Sequence, residues 1–311
     1  MAYSVGTLPA YTKQPAKPLL YAKLFDLIPT LQYCNLQTGI KSAEAIELLD
    51  STAYWQTQAC SFSASGTDTI TQRTLTVGKP MVQKSFCERT LESKFTQQAL
   101  KAGGNYTSLA YNTEIIDNTL QDVRKNIEKS AWLGQVGSGT HYLGHYDGFA
   151  TIVNAISDIA NRTYSGTSWS ETNSRTAIKG LVALIVANDD VYQGGDCNIK
   201  LFMSPKMVQE YRWKRATDNI GFDGAYDQDN KGKLFAEGTN IEIVETPGLT
   251  GTNYIYAIEP ENMFVGSDLQ GEYEKFKVWY SEDNMEIRMH LEFKLGFQVA
   301  FTGRVFRYLG V

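Results

Sequence analysis

The sequence predicts an α+β fold, and three stretches of the chain carry that prediction. Residues Asn112 to Leu133 form the longest segment that can continue as one helix. Between Phe149 and Ile258, segments with helical periodicity alternate with short apolar segments that are typical of buried strands. From Met285 to Phe301 every second residue is apolar, which is the period of a β-strand.

Composition narrows the class of protein. With 311 residues, the chain is long enough for one large domain or two smaller ones. Its content of 42% hydrophobic and 20% charged residues is typical of a soluble folded protein. The net charge is −5 and there is no basic run, so sequence-specific nucleic-acid binding is not predicted. The start of the chain lacks the pattern of a signal peptide, and its longest purely apolar run, Leu181–Ala187, is too short to cross a bilayer. Four cysteines without a close pair favour a reducing, intracellular origin.

The N-terminal part is predicted to be an extended arm followed by a short helix, over residues 1–57. Residues 1 to about 40 contain four of the eight prolines, and proline continues neither helices nor central strands. The apolar patch Leu24–Ile28 within this arm is expected to lie on another surface. Ser42–Leu49 is predicted to be the short helix, with Ser42 as its N-cap.

The next region predicts a β-hairpin. Tyr54–Ser65 and Thr69–Phe86 are both rich in threonine, serine and β-branched or aromatic residues, and Gly66–Asp68 between them is a candidate turn. An isolated two-stranded ribbon is marginally stable in water, and its edges invite aggregation. We therefore expect this ribbon to be stabilised by lying on a partner.

The long helix is predicted to be a core helix about 33 Å long. A shorter helix, Glu88–Ala102, precedes it, and a glycine-rich loop, Gln135–Gly148, follows it. Its apolar stripe is expected to pack against the odd-numbered face of Met285–Phe301. The core residues predicted for this helix are Ile116, Leu120, Val123, Ile127 and Trp132.

The middle block is predicted to alternate helices and strands, and the C-terminal tail to break near Gly296. The predicted helices are Phe149–Ala160, Thr176–Asn188 and Pro205–Arg215, the last with Ser204 as N-cap. The predicted strands are Ile199–Met203, Ile241–Glu245 and Tyr254–Ile258.

The sequence offers little for catalysis, and no catalytic residue, cofactor or metal is predicted. His141, His145 and Asp147 lie close in sequence, but the glycines around them argue against a helix that would align two imidazoles on a metal. Asp227–Gly238 departs from a calcium-binding loop, since Lys231 and Gly238 stand where ligands are needed. No nucleophile elbow, phosphate loop or dinucleotide fingerprint is present, so an enzyme is not predicted. A monomeric α+β metal-dependent enzyme that uses the histidine loop remains an alternative.

Several segments resemble a known family in the same order along the chain. The family is that of the major capsid proteins of tailed bacteriophages with the Hong Kong 97-type fold, in particular those of phages of Bacteroidetes-type hosts. The segments that carry the resemblance are Cys60–Gly66, Thr71–Val77, Phe86–Glu92, Ile127–Gly134, Asn262–Asp268 and Ile287–Val299.

This resemblance implies a division of the chain into four parts. Residues 1–57 would be the N-terminal arm and short helix, and residues 58–87 the extended loop, a hairpin that reaches over a neighbouring subunit. Residues 88–144 and 267–311 would form the peripheral domain, with the long helix as its spine, and residues 145–266 the axial domain. The residues of the extended loop that would contact another subunit are Phe62, Thr71, Arg73, Leu75, Val77 and Lys79.

The resemblance also implies a structural role. The chain would self-assemble as hexamers and pentamers into the icosahedral head of a tailed phage, enclosing double-stranded DNA without reading its sequence. Scaffolding, portal and decoration proteins would be partners, and no membrane would be involved. The expected location is the virion, after assembly in the host bacterial cytoplasm. An encapsulin-type nanocompartment shell protein is the alternative of the same fold.

Overall fold

The computed structural model describes residues 28–52, 54–55, 57, 65–87, 110–166, 168–188, 191–192, 198–218, 233–268, 277–281, 283–284 and 286–310. These residues form four α-helices, fourteen strands and several short 3-10 turns. The helix predicted at Glu88–Ala102 and the arm before Ile28 lie outside the described residues, as does most of the strand predicted at Tyr54–Ser65.

The long helix predicted from the sequence is confirmed, and three shorter helices follow it. The α-helices are α1 (Ala110–Leu133), α2 (Phe149–Asn154), α3 (Ser174–Val186) and α4 (Pro205–Thr217). Helix α4 begins as predicted, with the Ser204 side chain accepting a hydrogen bond from the backbone N–H of Met207. The helix predicted to run from Phe149 to Ala160 ends instead at Asn154, and a 3-10 turn covers Ile159–Arg162.

The strands form four sheets within the described residues. In chain order they are β1 (Asn35–Gln37), β2 (Ala43–Thr52), β3 (Thr67–Thr76), β4 (Met81–Cys87), β5 (Thr163–Tyr164), β6 (Lys200–Met203), β7 (Leu234–Phe235), β8 (Glu242–Glu245), β9 (Tyr254–Ile258), β10 (Met263–Ser267), β11 (Lys277–Ser281), β12 (Glu286–Glu292), β13 (Leu295–Val299) and β14 (Phe306–Leu309). The largest sheet is mixed, in the order β5-β14-β9-β6-β8-β7. The others are β1-β10-β13, β11-β12-β4 and the two-stranded ribbon β2-β3.

Helix α1 and the C-terminal strands contribute to one apolar core, as the period-two pattern predicts. Leu120, Val123, Ile127 and Trp132 are buried in the same cluster as the odd-numbered residues from Met289 to Val299. Ile116 lies on α1, but its side chain is outside the described residues. Burial of this stripe places the helix against the rest of the subunit and leaves its other side to solvent.

The segment predicted as a short helix, Ser42–Leu49, is wrong, because these residues belong to strand β2. All ten residues of β2 pair antiparallel with β3, from Ala43 opposite Thr76 to Thr52 opposite Thr67. Cross-strand pairing therefore overrides a local helix preference. The partner predicted for the hairpin is also wrong, since β3 pairs with residues before Tyr54. Strand β4, most of which the prediction included in the same hairpin, pairs with β12 instead.

The strands β12, β13 and β14 of the C-terminal tail lie in three different sheets. The tail breaks near Gly296 as predicted, at Phe293–Lys294, and β13 then pairs with β10. Strand β14 pairs with β9 in the six-stranded sheet, whereas β10 pairs with β13.

Candidate assembly interface

The ribbon formed by β2 and β3 has one face turned partly into the subunit and one face turned to solvent. Ile46 and Leu48 on β2 and Leu75 on β3 are buried. Leu49 and Ile70 lie directly opposite each other on the other face and are 62% and 68% exposed. We call the exposed side the outer ribbon face; it comprises Glu47, Leu49, Ser51, Asp68, Ile70 and Gln72. Tyr54 and Trp55, just beyond β2, are also exposed.

The base of the ribbon is fixed to the body of the subunit. Gly78 and Leu295 exchange two backbone hydrogen bonds of 2.9 and 3.2 Å, and the Gln298 side-chain amide donates to the Thr74 carbonyl oxygen at 2.7 Å. Gly296 permits this approach, because a Cβ there would lie 2.1 Å from the Thr76 carbonyl oxygen. The ribbon is therefore anchored at one end, whereas its described residues farther out are exposed.

The residues predicted for inter-subunit contact differ in how far they are exposed on the subunit. Leu75 and Val77 are buried among Ile40, Ile46 and Ala300 of the same subunit. Thr71 and Lys79 are exposed. Arg73 is half-buried, and burial lowers the pKa of its guanidinium. Phe62 lies outside the described residues.

Leu49 and Ile70 were missed from the sequence because their significance depends on strand register. In the helix predicted for Ser42–Leu49, Leu49 would share no face with Ile70. Their cross-strand pairing appears only once Ala43 is known to face Thr76. The signal in the sequence that could indicate this face is a period-two pattern over residues 43–52, taken as a strand.

A buried hydrogen-bond chain attaches the end of the arm to helix α1. Trp132 Nε1 donates to Thr30 Oγ1 at 2.7 Å, and this hydroxyl donates to Glu128 Oε1 at 2.6 Å. The Thr30 backbone N–H donates to the other carboxylate oxygen at 3.2 Å, and the Gly248 backbone also hydrogen-bonds to the carboxylate. Burial raises the pKa of Glu128, and these hydrogen bonds oppose the rise only in part.

The raised pKa of Glu128 predicts a pH-dependent contribution to stability. The folded subunit binds a proton at Glu128 more readily than the unfolded chain, in which the pKa is near the ordinary value of 4.5. We expect wild-type stability to rise relative to Glu128→Gln as the pH falls through the raised pKa toward 4.5. Urea unfolding of both chains between pH 8 and pH 5 measures this difference. Asp122→Asn, on an exposed part of the same helix, is the control. A difference that is constant with pH, or that moves the other way, contradicts the prediction.

The histidine loop does not form a metal centre in the described part of the chain. His141 and His145 are exposed, and Asp147 Oδ1 accepts a hydrogen bond from the Val136 backbone N–H at 2.8 Å. Among the described residues, no group of three or more potential ligands is placed to hold a metal ion. The first half of the segment Asp227–Gly238, which departs from a calcium-binding loop, lies outside the described residues.

The cysteines add no reactive centre to the described residues. The Cys34 thiol donates to the Thr30 carbonyl oxygen at 3.2 Å, and burial, followed by the nearby Glu128 charge, raises its pKa. Cys60 and Cys197 lie outside the described residues, as does the side chain of Cys87. Among the described residues, no helix is both long and apolar enough to span a membrane.

Similarity to known proteins is found in structure and not in sequence. No protein-family model matches the chain, and no curated protein matches its sequence. A chain in the satellite phage P4 procapsid including size determination (Sid) protein superposes with a TM-score of 0.66 at 8% identity, covering 97% of this chain and 95% of that one. The fold is similar to those of phage capsid proteins.

Two further structures extend the similarity. A chain in the capsid of the native GTA particle has a TM-score of 0.59 at 11% identity, covering 91% of this chain and 90% of its own length. A chain in the capsid of Myoviridae phage XM1 has a TM-score of 0.57 at 11% identity, with 91% and 92% covered. At these identities the similarity defines a mixed α+β fold shared over nearly the whole length of each chain.

Proposed function

We propose that this protein is a major capsid protein of the Hong Kong 97 type, which self-assembles into the icosahedral head of a tailed bacteriophage. The observation that carries the proposal is the two-way coverage of the P4 procapsid match, 97% of this chain and 95% of the other. Such coverage includes the ribbon and the long helix as well as the mixed sheet. The match is therefore to a whole subunit architecture and not to a common α/β layer within it.

The exposed ribbon supports a role in assembly. An anchored two-stranded ribbon with an apolar pair on its solvent side gains little stability within one subunit. Contact with another subunit would bury Leu49 and Ile70 and cover the ribbon edges. The ribbon corresponds in this proposal to the extended loop, with its first strand at Ala43–Thr52 rather than within 58–87.

The domain assignment follows the sheets. The axial domain consists of the six-stranded sheet with α3 and α4, and it includes β14. The peripheral domain is built on α1, with β10, β12 and β13 supplying its strands. In the assembled head, hexamers and pentamers of this subunit would enclose double-stranded DNA. A net charge of −5 suits a wall that confines DNA without binding it tightly.

Further proteins complete the proposed particle. Scaffolding, portal and decoration proteins are proposed as partners, assembly takes place in the host bacterial cytoplasm, and the product is part of the virion. The host is proposed to be of the Bacteroidetes type on the sequence resemblance alone.

Expression of the chain, with and without a candidate scaffolding protein, tests the proposal. We expect shells or capsomers of regular size in electron micrographs, and a matching large species in analytical ultracentrifugation. Shells that hold a cargo protein in place of DNA in the native host would favour the encapsulin alternative. A monomer at every concentration, with stoichiometric zinc, would instead support the metal-dependent enzyme and overturn the capsid proposal.

A further inference from the structure

A cavity of about 580 Å³ lies between helix α3, helix α4 and the turn that follows β7. Helix α3 supplies residues at helical spacing on one face, of which Ile178 and Val182 are buried and Lys179 is exposed. The turn is closed by a hydrogen bond of 2.9 Å from the Ala236 N–H to the Ile241 carbonyl oxygen. The cavity is therefore built on fixed elements of the subunit.

The inner wall of the cavity is apolar. Ile178, Val182 and Ala236 are at most 8% exposed and belong to the same core cluster. The ring of Tyr211, which is 1% exposed, completes this wall. An apolar chain that entered the cavity would cover carbon surface that otherwise faces water, which favours its binding.

Positive charge exceeds negative charge beside the cavity. Arg175 donates to both carboxylate oxygens of Glu237 at 2.8–3.1 Å and to Asp218 at 2.5 Å. Lys214 pairs with the same Asp218 carboxylate at 2.7 Å. Arg215 Nε lies 3.8 Å from Glu237 Oε1. In this described cluster three cations share two carboxylates, which leaves the cluster net positive.

Two further groups of the cavity can donate hydrogen bonds to a ligand. Lys179 lies one turn after Arg175 on α3, and no described carboxylate forms an ion pair with its ammonium. The Tyr211 hydroxyl is buried, and the Glu237 backbone N–H faces its oxygen as a donor, so the hydroxyl proton has no acceptor among the described residues. Burial, followed by the Glu237 charge, raises the pKa of Tyr211 to about 12, so this group keeps its proton at neutral pH.

We propose that this cavity binds a carboxylate carried on an apolar chain. The carboxylate accepts hydrogen bonds from the Lys179 ammonium and the Tyr211 hydroxyl, and the chain lies on Ile178 and Val182. One ammonium and one hydroxyl match the two oxygens of a carboxylate, whereas a phosphate would bring a second negative charge toward Glu237. A fatty acid and a peptide that ends in an apolar residue both have this chemistry. The inference goes beyond the proposed capsid function and does not depend on it.

Isothermal titration of the full-length chain with three small probes tests the ligand class. Hexanoate has both the chain and the carboxylate, hexanamide has the chain without the charge, and acetate has the charge without the chain. We expect hexanoate to bind, and the other two to bind at least about tenfold more weakly. N-acetylleucine, which imitates the end of a peptide, distinguishes the sources: it binds more tightly than hexanoate if the ligand is a peptide, and more weakly if it is a fatty acid.

Two variants test the residues assigned to the carboxylate. Lys179→Gln removes an exposed charge, and Tyr211→Phe removes the hydroxyl but retains the ring, so both should unfold at a temperature close to wild type. Lys179→Gln should weaken hexanoate binding about tenfold and leave hexanamide binding unchanged, and Tyr211→Phe should weaken hexanoate binding by a smaller factor. Lys206→Gln, at an exposed lysine of α4 outside the cavity, is the matched control and should bind hexanoate as wild type does.

Three results would overturn this inference. They are the absence of saturable hexanoate binding up to about 10 mM, equal binding of hexanoate and hexanamide, and full hexanoate binding by Lys179→Gln. Each of these would leave the capsid function standing, since assembly seen in electron micrographs tests that function separately. A chain that binds hexanoate but never assembles would overturn the capsid function alone.

Discussion

Shortening the ribbon is expected to give a folded subunit that does not assemble. The change replaces residues 49–70 with Asn-Gly, so that Leu48 joins Thr71 through a two-residue turn. These two residues face each other across the ribbon, and Asn-Gly favours such turns. The buried base, including Ile46 and Leu75, is retained. The outer apolar pair and Trp55 are removed, and with them the surface proposed to bind another copy.

Electron microscopy tests whether the shortened subunit assembles, and thermal unfolding tests whether it is folded. We expect no shells or capsomers at ten times the concentration at which wild type assembles, with an unfolding midpoint within a few degrees of wild type. Thr74→Ser, in the retained part of β3, is the control and should assemble normally. Shells of normal size from the shortened chain would show that the ribbon does not join subunits.

Trp132→Ala is expected to reduce the free energy of unfolding of the unassembled subunit by about 3–5 kcal/mol. Trp132 is fully buried, and its ring packs against Phe149, Phe202 and Tyr256 at centroid distances of 5.5, 5.2 and 5.7 Å. Alanine leaves a cavity among these rings and also removes the donor to Thr30. The loss should loosen the arm, the long helix and the six-stranded sheet together, because Trp132 contacts all three.

Urea denaturation of the unassembled subunit measures this loss. Trp213→Ala is the matched control, since Trp213 is 52% exposed on α4, and we expect its effect to stay within about 0.5 kcal/mol. Hydrogen exchange should show faster exchange at Thr30 in Trp132→Ala than in wild type. Equal losses for the two tryptophan variants would contradict a central packing role for Trp132.

Local patterns were sufficient wherever one element buries one stripe or one face. Leu120, Val123 and Ile127 recur at helical spacing, so the position of α1 and its buried side could be read directly. Strand β9 was predicted with its observed bounds, since Tyr254–Ile258 is a short apolar run between turn residues. The N-cap of α4 was equally local, because Ser204 and Pro205 stand next to the residues that they affect.

The candidate interface depends on strand pairing between segments that are distant in the sequence. Residues 43–49 have enough alanine, glutamate and leucine to favour a helix, and only their partners at 70–76 make them a strand. The sequence alone determined the α+β class, the long helix with its buried stripe and the period-two tail, because those depend on neighbours a few residues away. The tertiary structure decided the ribbon register, the return of β14 to the six-stranded sheet and the exposure of Leu49 with Ile70. Each of these depends on which distant segments form hydrogen bonds, and a strand pairs with any compatible edge that the rest of the fold brings beside it.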